Sequence, residues 1–157
     1  MKKFELTSEF VTNISGTKLF RIKALVEFGD VEAGELGGYI EKEENLDHDG
    51  DAWVYGNARV YGDAQVYGDA RVCGDARVYG DAQVYGNADY AYAHGFGSVN
   101  RTTTFFRLKN GNVGVVCGCF HGTLQEFRDK IRETHGETKK AQEYLMLADL
   151  MDFRFKN

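Results

Sequence analysis

Proline is missing from all 157 residues. No rigid Pro-rich linker divides the chain, and its sharp turns fall to other residues. Cysteine is scarce: three residues, an odd number without framework spacing, exclude a disulfide-stapled scaffold and fit a reducing, cytoplasmic setting. A basic excess is also lacking. Nineteen Lys and Arg against 24 Asp and Glu leave a net charge of −5, which excludes a general duplex-DNA binder but leaves a local arginine face open. Long apolar runs are absent too. Glu5, Ser8 and Glu9 interrupt any apolar segment after Lys2-Lys3, so a signal peptide is not expected, and no stretch reaches a membrane span. What remains is a chain that is 43% hydrophobic, enough for a packed core, with 19 glycines gathered mainly in its middle.

Seven of those glycines, Gly50, Gly56, Gly62, Gly68, Gly74, Gly80 and Gly86, belong to a repeat. VYGNARVYGDAQVYGDAR at 54–71 is followed by VCGDARVYGDAQVYGNAD at 72–89, with fourteen of eighteen positions identical. Val54, Val60, Val66, Val72, Val78 and Val84 recur every six residues, each followed by an aromatic or Cys73, then Gly, Asp or Asn, and Ala. A period of six fits a short strand, a corner and another short strand. Within Ala-x-Val-Tyr, Ala and Val point one way, and the variable residue and Tyr the other. Gly-Asp or Gly-Asn supplies the corner, because these residues tolerate left-handed backbone. Three strands close an eighteen-residue coil, which predicts a left-handed, triangular β-helix of about three coils from Leu36 to Tyr92. Weaker upstream copies include His48-Asp49-Gly50-Asp51-Ala52-Trp53.

Stacking at eighteen residues predicts the surface. Arg59 lies beside Arg77 and Tyr61 beside Tyr79 on one face, while Gln65/Gln83 and Tyr67/Tyr85 form an uncharged second face. The third reads Trp53 over Arg71 over Asp89, with Tyr55, Cys73 and Ala91 alongside. Aromatic columns of this kind suit either plain solenoid ladders or an interface.

The flanks divide the chain into 1–35, an N-terminal β segment capping the coil; 36–92, the solenoid; and 93–157, a C-terminal α+β cap. In the first, two strands flank a turn at Asn13-Ile14-Ser15-Gly16. In the last, Thr102–Leu108 and Val113–Cys117 flank Lys109-Asn110-Gly111-Asn112, a hairpin signal. Thr123-Leu124-Gln125-Glu126 is a capping box for a helix ending near His135-Gly136. A second helix from about Thr138 carries Tyr144, Leu145, Leu147, Ala148 and Met151.

Three groups could carry chemistry. The segment from His94 through Gly95, Phe96, Gly97, Ser98, Val99, Asn100 and Arg101 to Thr102, Thr103 and Thr104 combines glycines, hydroxyls, a guanidinium and an imidazole, which can present donors to a phosphate. It lacks the spacing and the Lys of a P-loop. Cys117, Cys119 and His121 are metal-ligating in type and are expected on one face of a strand, but three ligands fall short of a closed zinc site, so no metal is expected. Cys119 precedes a helix N-terminus, which favours a thiolate, yet no partner for it can be named. Among His48, His94, His121 and His135, the best general base is His94, placed where the last coil meets the cap.

The V-Y-G-[DN]-A-x run covers about a third of the chain and resembles the hexapeptide-repeat, left-handed β-helix superfamily. Many of its members are trimeric acyltransferases that use a His and bind acyl-CoA between neighbouring solenoids. Nearly the whole chain, through VEAGELGGYIEKEENL, GSVNRTTTFFR and CGCFHGTLQEF…THG, is similar to small hexapeptide-repeat proteins of phages and prophages. That resemblance implies an accessory protein of the host cytoplasm which counters host defence by holding a protein or a nucleotide signal. Compared with the acyltransferase pattern the solenoid is short and no His-bearing loop is inserted between coils. The expectation is therefore a non-catalytic homo-oligomer, a trimer in the first instance, without cofactor. A small anionic ligand would be held by Arg59, Tyr61, Arg77, Tyr79, His94, Arg101, Thr102 and Thr103. Acyl transfer with His94 as base, or a module that blocks a host protein, are the alternatives.

Overall fold

A computed structural model describes residues 2–13, 15–96 and 101–156. Ile14, in the first expected turn, and Gly97, Ser98, Val99 and Asn100, in the expected Gly-rich exit, lie outside the described residues. The chain starts with an antiparallel pair, β1 (Phe4–Thr12) and β2 (Lys18–Ala24). The repeat follows as β3 (Leu36–Ile40), β4 (Trp53–Val54), β5 (Arg59–Val60), β6 (Gln65–Val66), β7 (Arg71–Val72), β8 (Arg77–Val78) and β9 (Gln83–Val84).

Within the regular repeat, parallel pairing follows the period of eighteen: Arg59 pairs with Arg77, Trp53 with Arg71, and Gln65 with Gln83. The lead-in coil is two residues longer, so Tyr39 on β3 pairs with Arg59 twenty positions on. This is the left-handed β-helix solenoid read from the sequence. Its interior is closed by small and branched side chains: Ala58, Val60, Val66, Ala70, Val72, Ala76, Val78, Ala82 and Val84 are fully buried. Ala and Val fill the narrow axis of the regular coils, while the lead-in coil places Ile40 over Val60 and Leu46 over Val66. At the corners, Gly62 at φ +69 and Gly68 at φ +68 adopt the left-handed turn that ordinary residues resist.

Both open ends of the stack are covered, which removes the strand edges that a bare solenoid would expose. At the start, β2 pairs antiparallel with β3 and carries the first face sideways into the hairpin. Phe4 and Ile22 enter the solenoid core, and Lys3 Nζ donates to the carbonyl of Ala52 at 2.7 Å and of Gly50 at 3.3 Å. Those carbonyls stand on the first rung of the third face, where no preceding coil bonds them. At the far end, the Arg77 N–H would reach for a next coil that does not exist; the Thr104 hydroxyl accepts it at 2.9 Å.

The third face differs from the simple column. Trp53 is fully buried, with Phe28 edge-on at 5.3 Å, and Arg71 is paired to Asp30 at 2.7 Å. The segment after β2 covers these outward slots. Asp89 does not continue the column, because Asn87–Asp89 turn as a short 3-10 segment and end the repetition.

The cap is larger than one hairpin. Strands β10 (Tyr90–Phe96), β11 (Arg101–Arg107), β12 (Val113–Cys117) and β13 (Phe120–Thr123) form one antiparallel sheet in chain order. Tyr90–Tyr92, expected in the last coil, thus belong to this sheet. Helix α1 (Leu124–His135) begins at Thr123, whose hydroxyl accepts from the Glu126 N–H while the Glu126 carboxylate accepts from the Thr123 N–H. Helix α2 (Lys139–Phe155) packs on it through Tyr144, Ala148 and Met151, with Phe105, Val115 and Phe127 completing a second core. Among the described residues, no helix is long and apolar enough to cross a membrane.

Candidate functional site

The solenoid dictates which side chains can share a site. Translation by one coil puts Arg59 next to Arg77 and the ring of Tyr61 4.8 Å from that of Tyr79. Tyr61 is held in place from the N-terminal side by Leu19 and Tyr39, which bury it with partial cover from Val11. The other wall comes from the cap. Gly118 takes φ +59 and makes, with Cys119, a two-residue turn between β12 and β13, so the chain reverses onto the first solenoid face.

That reversal delivers His121. Its Nε2 lies 3.0 Å from the Tyr61 hydroxyl, and its ring stands edge-on to Tyr79 at 4.7 Å. The Nδ1 atom lies 3.3 Å from the Cys119 carbonyl oxygen. A carbonyl can only accept, so in the neutral ring Nδ1 carries the proton and Nε2 receives the Tyr61 O–H. Burial raises the Tyr61 phenol above its ordinary value, partly opposed by the Arg77 guanidinium. Tyr61 is therefore a neutral donor across the physiological range.

Together these groups line a cavity of about 500 Å³ with Asn13 and Ser15 of the β1–β2 turn, Gly118 and Cys119. The size suits a small-molecule ligand. Arg59 and Arg77 form its charged wall. Neither has a carboxylate within ion-pair distance among the described residues, and Arg77 Nη2 donates only to the Gly118 carbonyl, at 3.1 Å. Two guanidinia on neighbouring rungs, neither of them in an ion pair among the described residues, favour an anion beside them. A second concavity of about 320 Å³ shares Arg59, Arg77 and Gly118, and adds Asn57, Asp75 and Thr102.

Of the residues expected to act together, Arg59, Tyr61, Arg77 and Tyr79 meet in the first cavity and Thr102 borders the second. His94 is exposed on β10, its Nδ1 2.7 Å from the Thr102 hydroxyl, and does not line the cavity. Thr103 is fully buried on the opposite side of β11, donating to Cys117 Sγ at 3.2 Å. The backbone of Arg101 belongs to β11, but its side chain lies outside the described residues.

Cys117, Cys119 and His121 do not share one face of one strand, since the Gly118 turn separates them. Cys117 packs against the cap core, Cys119 is exposed in the turn, and His121 faces the tyrosines. Among the described residues no three His, Cys, Asp or Glu side chains are grouped to hold a metal ion. The imidazole that reaches the cavity is thus His121 and not His94. Its signal was the Gly-x pair at 118–119, which marks a reversal rather than a continued strand.

Comparison with known proteins places the repeat. A family model described as the YdcK beta solenoid repeat matches residues 52–68, 64–80 and 70–86. The "Uncharacterized acetyltransferase YdcK" of Escherichia coli (strain K12) is 39% identical over 62 residues, covering 35% of this chain and 19% of that protein. The chain thus spans about a fifth of the length of the curated relative it matches. The repeat is homologous, in part and at low identity, to YdcK-type hexapeptide-repeat solenoids. This corrects one expectation. The short, uninterrupted solenoid suggests a non-catalytic protein, but the relative that its repeat matches bears the name of an acetyltransferase, so the shape of the solenoid does not argue against an enzyme.

Proposed function

We propose that the protein is an acyltransferase of the acetyltransferase type, with the cavity between the first solenoid face and the β12–β13 turn as its active site. The observation that carries this reading is the His121 imidazole, its Nε2 turned to the Tyr61 hydroxyl beside two unpaired guanidinia. The donor is an acyl thioester with an anionic nucleotide handle, such as acetyl-CoA. Its phosphates lie on Arg59 and Arg77, and Tyr79 offers a ring face to the base.

In the transfer, the acceptor's O–H or N–H displaces the Tyr61 hydroxyl from His121 Nε2. Nε2 takes the acceptor proton while the acceptor atom bonds to the thioester carbonyl carbon. Collapse of the tetrahedral intermediate breaks the C–S bond, and the departing thiolate recovers the proton from Nε2. The Cys119 carbonyl keeps the other ring proton on Nδ1 and stabilises the imidazolium that forms between the two steps. Support comes from the acetyltransferase relative as well as from these residues.

The test is release of free thiol from acetyl-CoA with a panel of amine and hydroxyl acceptors, followed by mass analysis of the acceptors. Turnover is expected to fall by about 10²–10⁴ in His121→Ala and to survive in His94→Ala. Turnover that is indifferent to His121→Ala, or none with any acceptor, would overturn the assignment.

A further inference from the structure

Helix α2 buries one side in the cap and presents a second apolar stripe to solvent. Met146, Leu150 and Phe153 are 70%, 56% and 77% exposed. Their spacings of four and three residues place them on one face of the helix. Three large apolar side chains exposed side by side form a patch of the kind that marks an interaction surface. At the two ends of the stripe stand Glu143 and Arg154, both exposed and neither in an ion pair within the chain among the described residues. Arg154 gives one Nη2 bond to the Asn87 carbonyl at 3.2 Å, which leaves most of its donors free.

We propose that this face binds a second copy of the same chain, α2 against α2 in antiparallel order about a twofold axis near Leu150. The arrangement of charge selects the occupant. Glu143 and Arg154 are eleven residues apart, or about 16 Å along the axis, and lie toward the same side of the stripe. In the antiparallel pair each Glu143 meets the partner's Arg154 and each Met146 meets the partner's Phe153, with the two Leu150 side chains between them. A parallel pair would set acid against acid and base against base. The stripe is thus complementary to itself in one orientation, as an isologous interface requires. The pairing stands apart from the acyl-transfer reading, because α2 contributes nothing to the cavity with His121.

The test is molar mass by sedimentation or light scattering on the full chain, over about 1–100 μM, since one helix pair makes a small interface. Leu150→Lys should halve the mass without changing the circular dichroism or melting temperature. Glu143→Arg and Arg154→Glu should each weaken association at least tenfold, and the Glu143→Arg/Arg154→Glu double variant should restore it. A wild-type chain that is monomeric throughout would overturn the proposal. So would an assembly unchanged by Leu150→Lys, or single charge variants that dissociate without rescue in the double variant.

Discussion

Tyr61 and His121 lie sixty residues apart in sequence and meet through a 3.0 Å contact between the phenol oxygen and Nε2. The bond ties the second rung of the solenoid to the last strand of the cap, on the side of the His121 ring opposite the Cys119 carbonyl that fixes its tautomer. Tyr61→Phe keeps the buried ring and removes only the hydroxyl. It should cost about 0.5–1.5 kcal/mol in urea unfolding, the range for one hydrogen bond. The ¹⁵N resonance of His121 Nε2 should shift as its donor disappears. Unchanged stability with an unchanged resonance would mean that the two side chains do not meet in solution.

The unpaired guanidinia make a prediction about affinity. Arg59→Ala and Arg77→Ala should each weaken acetyl-CoA binding about tenfold to a hundredfold, as expected from ~1.5–3 kcal/mol for a hydrogen bond to a charged group. The wild-type affinity should also fall as salt rises from 50 to 500 mM, while the double Ala variant responds far less. Isothermal titration at the two salt concentrations measures both effects. Equal salt dependence in the two proteins would remove Arg59 and Arg77 from the anion site.

What the sequence discloses and what it hides have a common physical origin. Arg59/Arg77 and Tyr61/Tyr79 are legible because a parallel coil translates each side chain by a fixed step, so an eighteen-residue match is also a spatial one. His121 is not legible in that way. Its position depends on where the cap docks, which is set by contacts such as Thr104 with the Arg77 N–H that no periodicity encodes. Reading Cys-Gly-Cys-Phe-His as one strand also hid the reversal at Gly118, and with it the separation of Cys117 from His121. Trp53 shows the same limit from another side. Its slot points outward by the repeat rule, yet the segment that includes Phe28 buries it.

The corner glycines separate two costs that the repeat combines. A Cβ at Gly80, at φ +74, would meet nothing within 4 Å, so Gly80→Ala should cost only the left-handed backbone penalty of about 1–2 kcal/mol. At Gly68, φ +68, the added carbon would run into the carbonyl oxygen of Tyr85 on the next coil. Gly68→Ala should therefore be the more damaging of the two by at least ~1 kcal/mol, because the coils must also part. Urea midpoints of both variants decide it, and equal losses would show that the corner can shift freely.

Lys3 gives the fold a pH signature. Burial depresses its ammonium from 10.5 to about 8, only partly offset by Asp47 and Asp51. The folded value is below the unfolded one, so between about pH 8 and 10.5 the unfolded chain binds more protons and stability gains as pH rises. Below pH 8 the full cost of holding a buried charge is present. Lys3→Met removes the titrating group but leaves the carbonyls of Gly50 and Ala52 without their donor. The stability of wild type relative to Lys3→Met should accordingly widen from pH 7.5 to 9.5, a window below the ordinary range of the tyrosines. Denaturant titrations of both proteins at intervals across that window measure the difference, and parallel profiles would show that Lys3 titrates as an exposed amine.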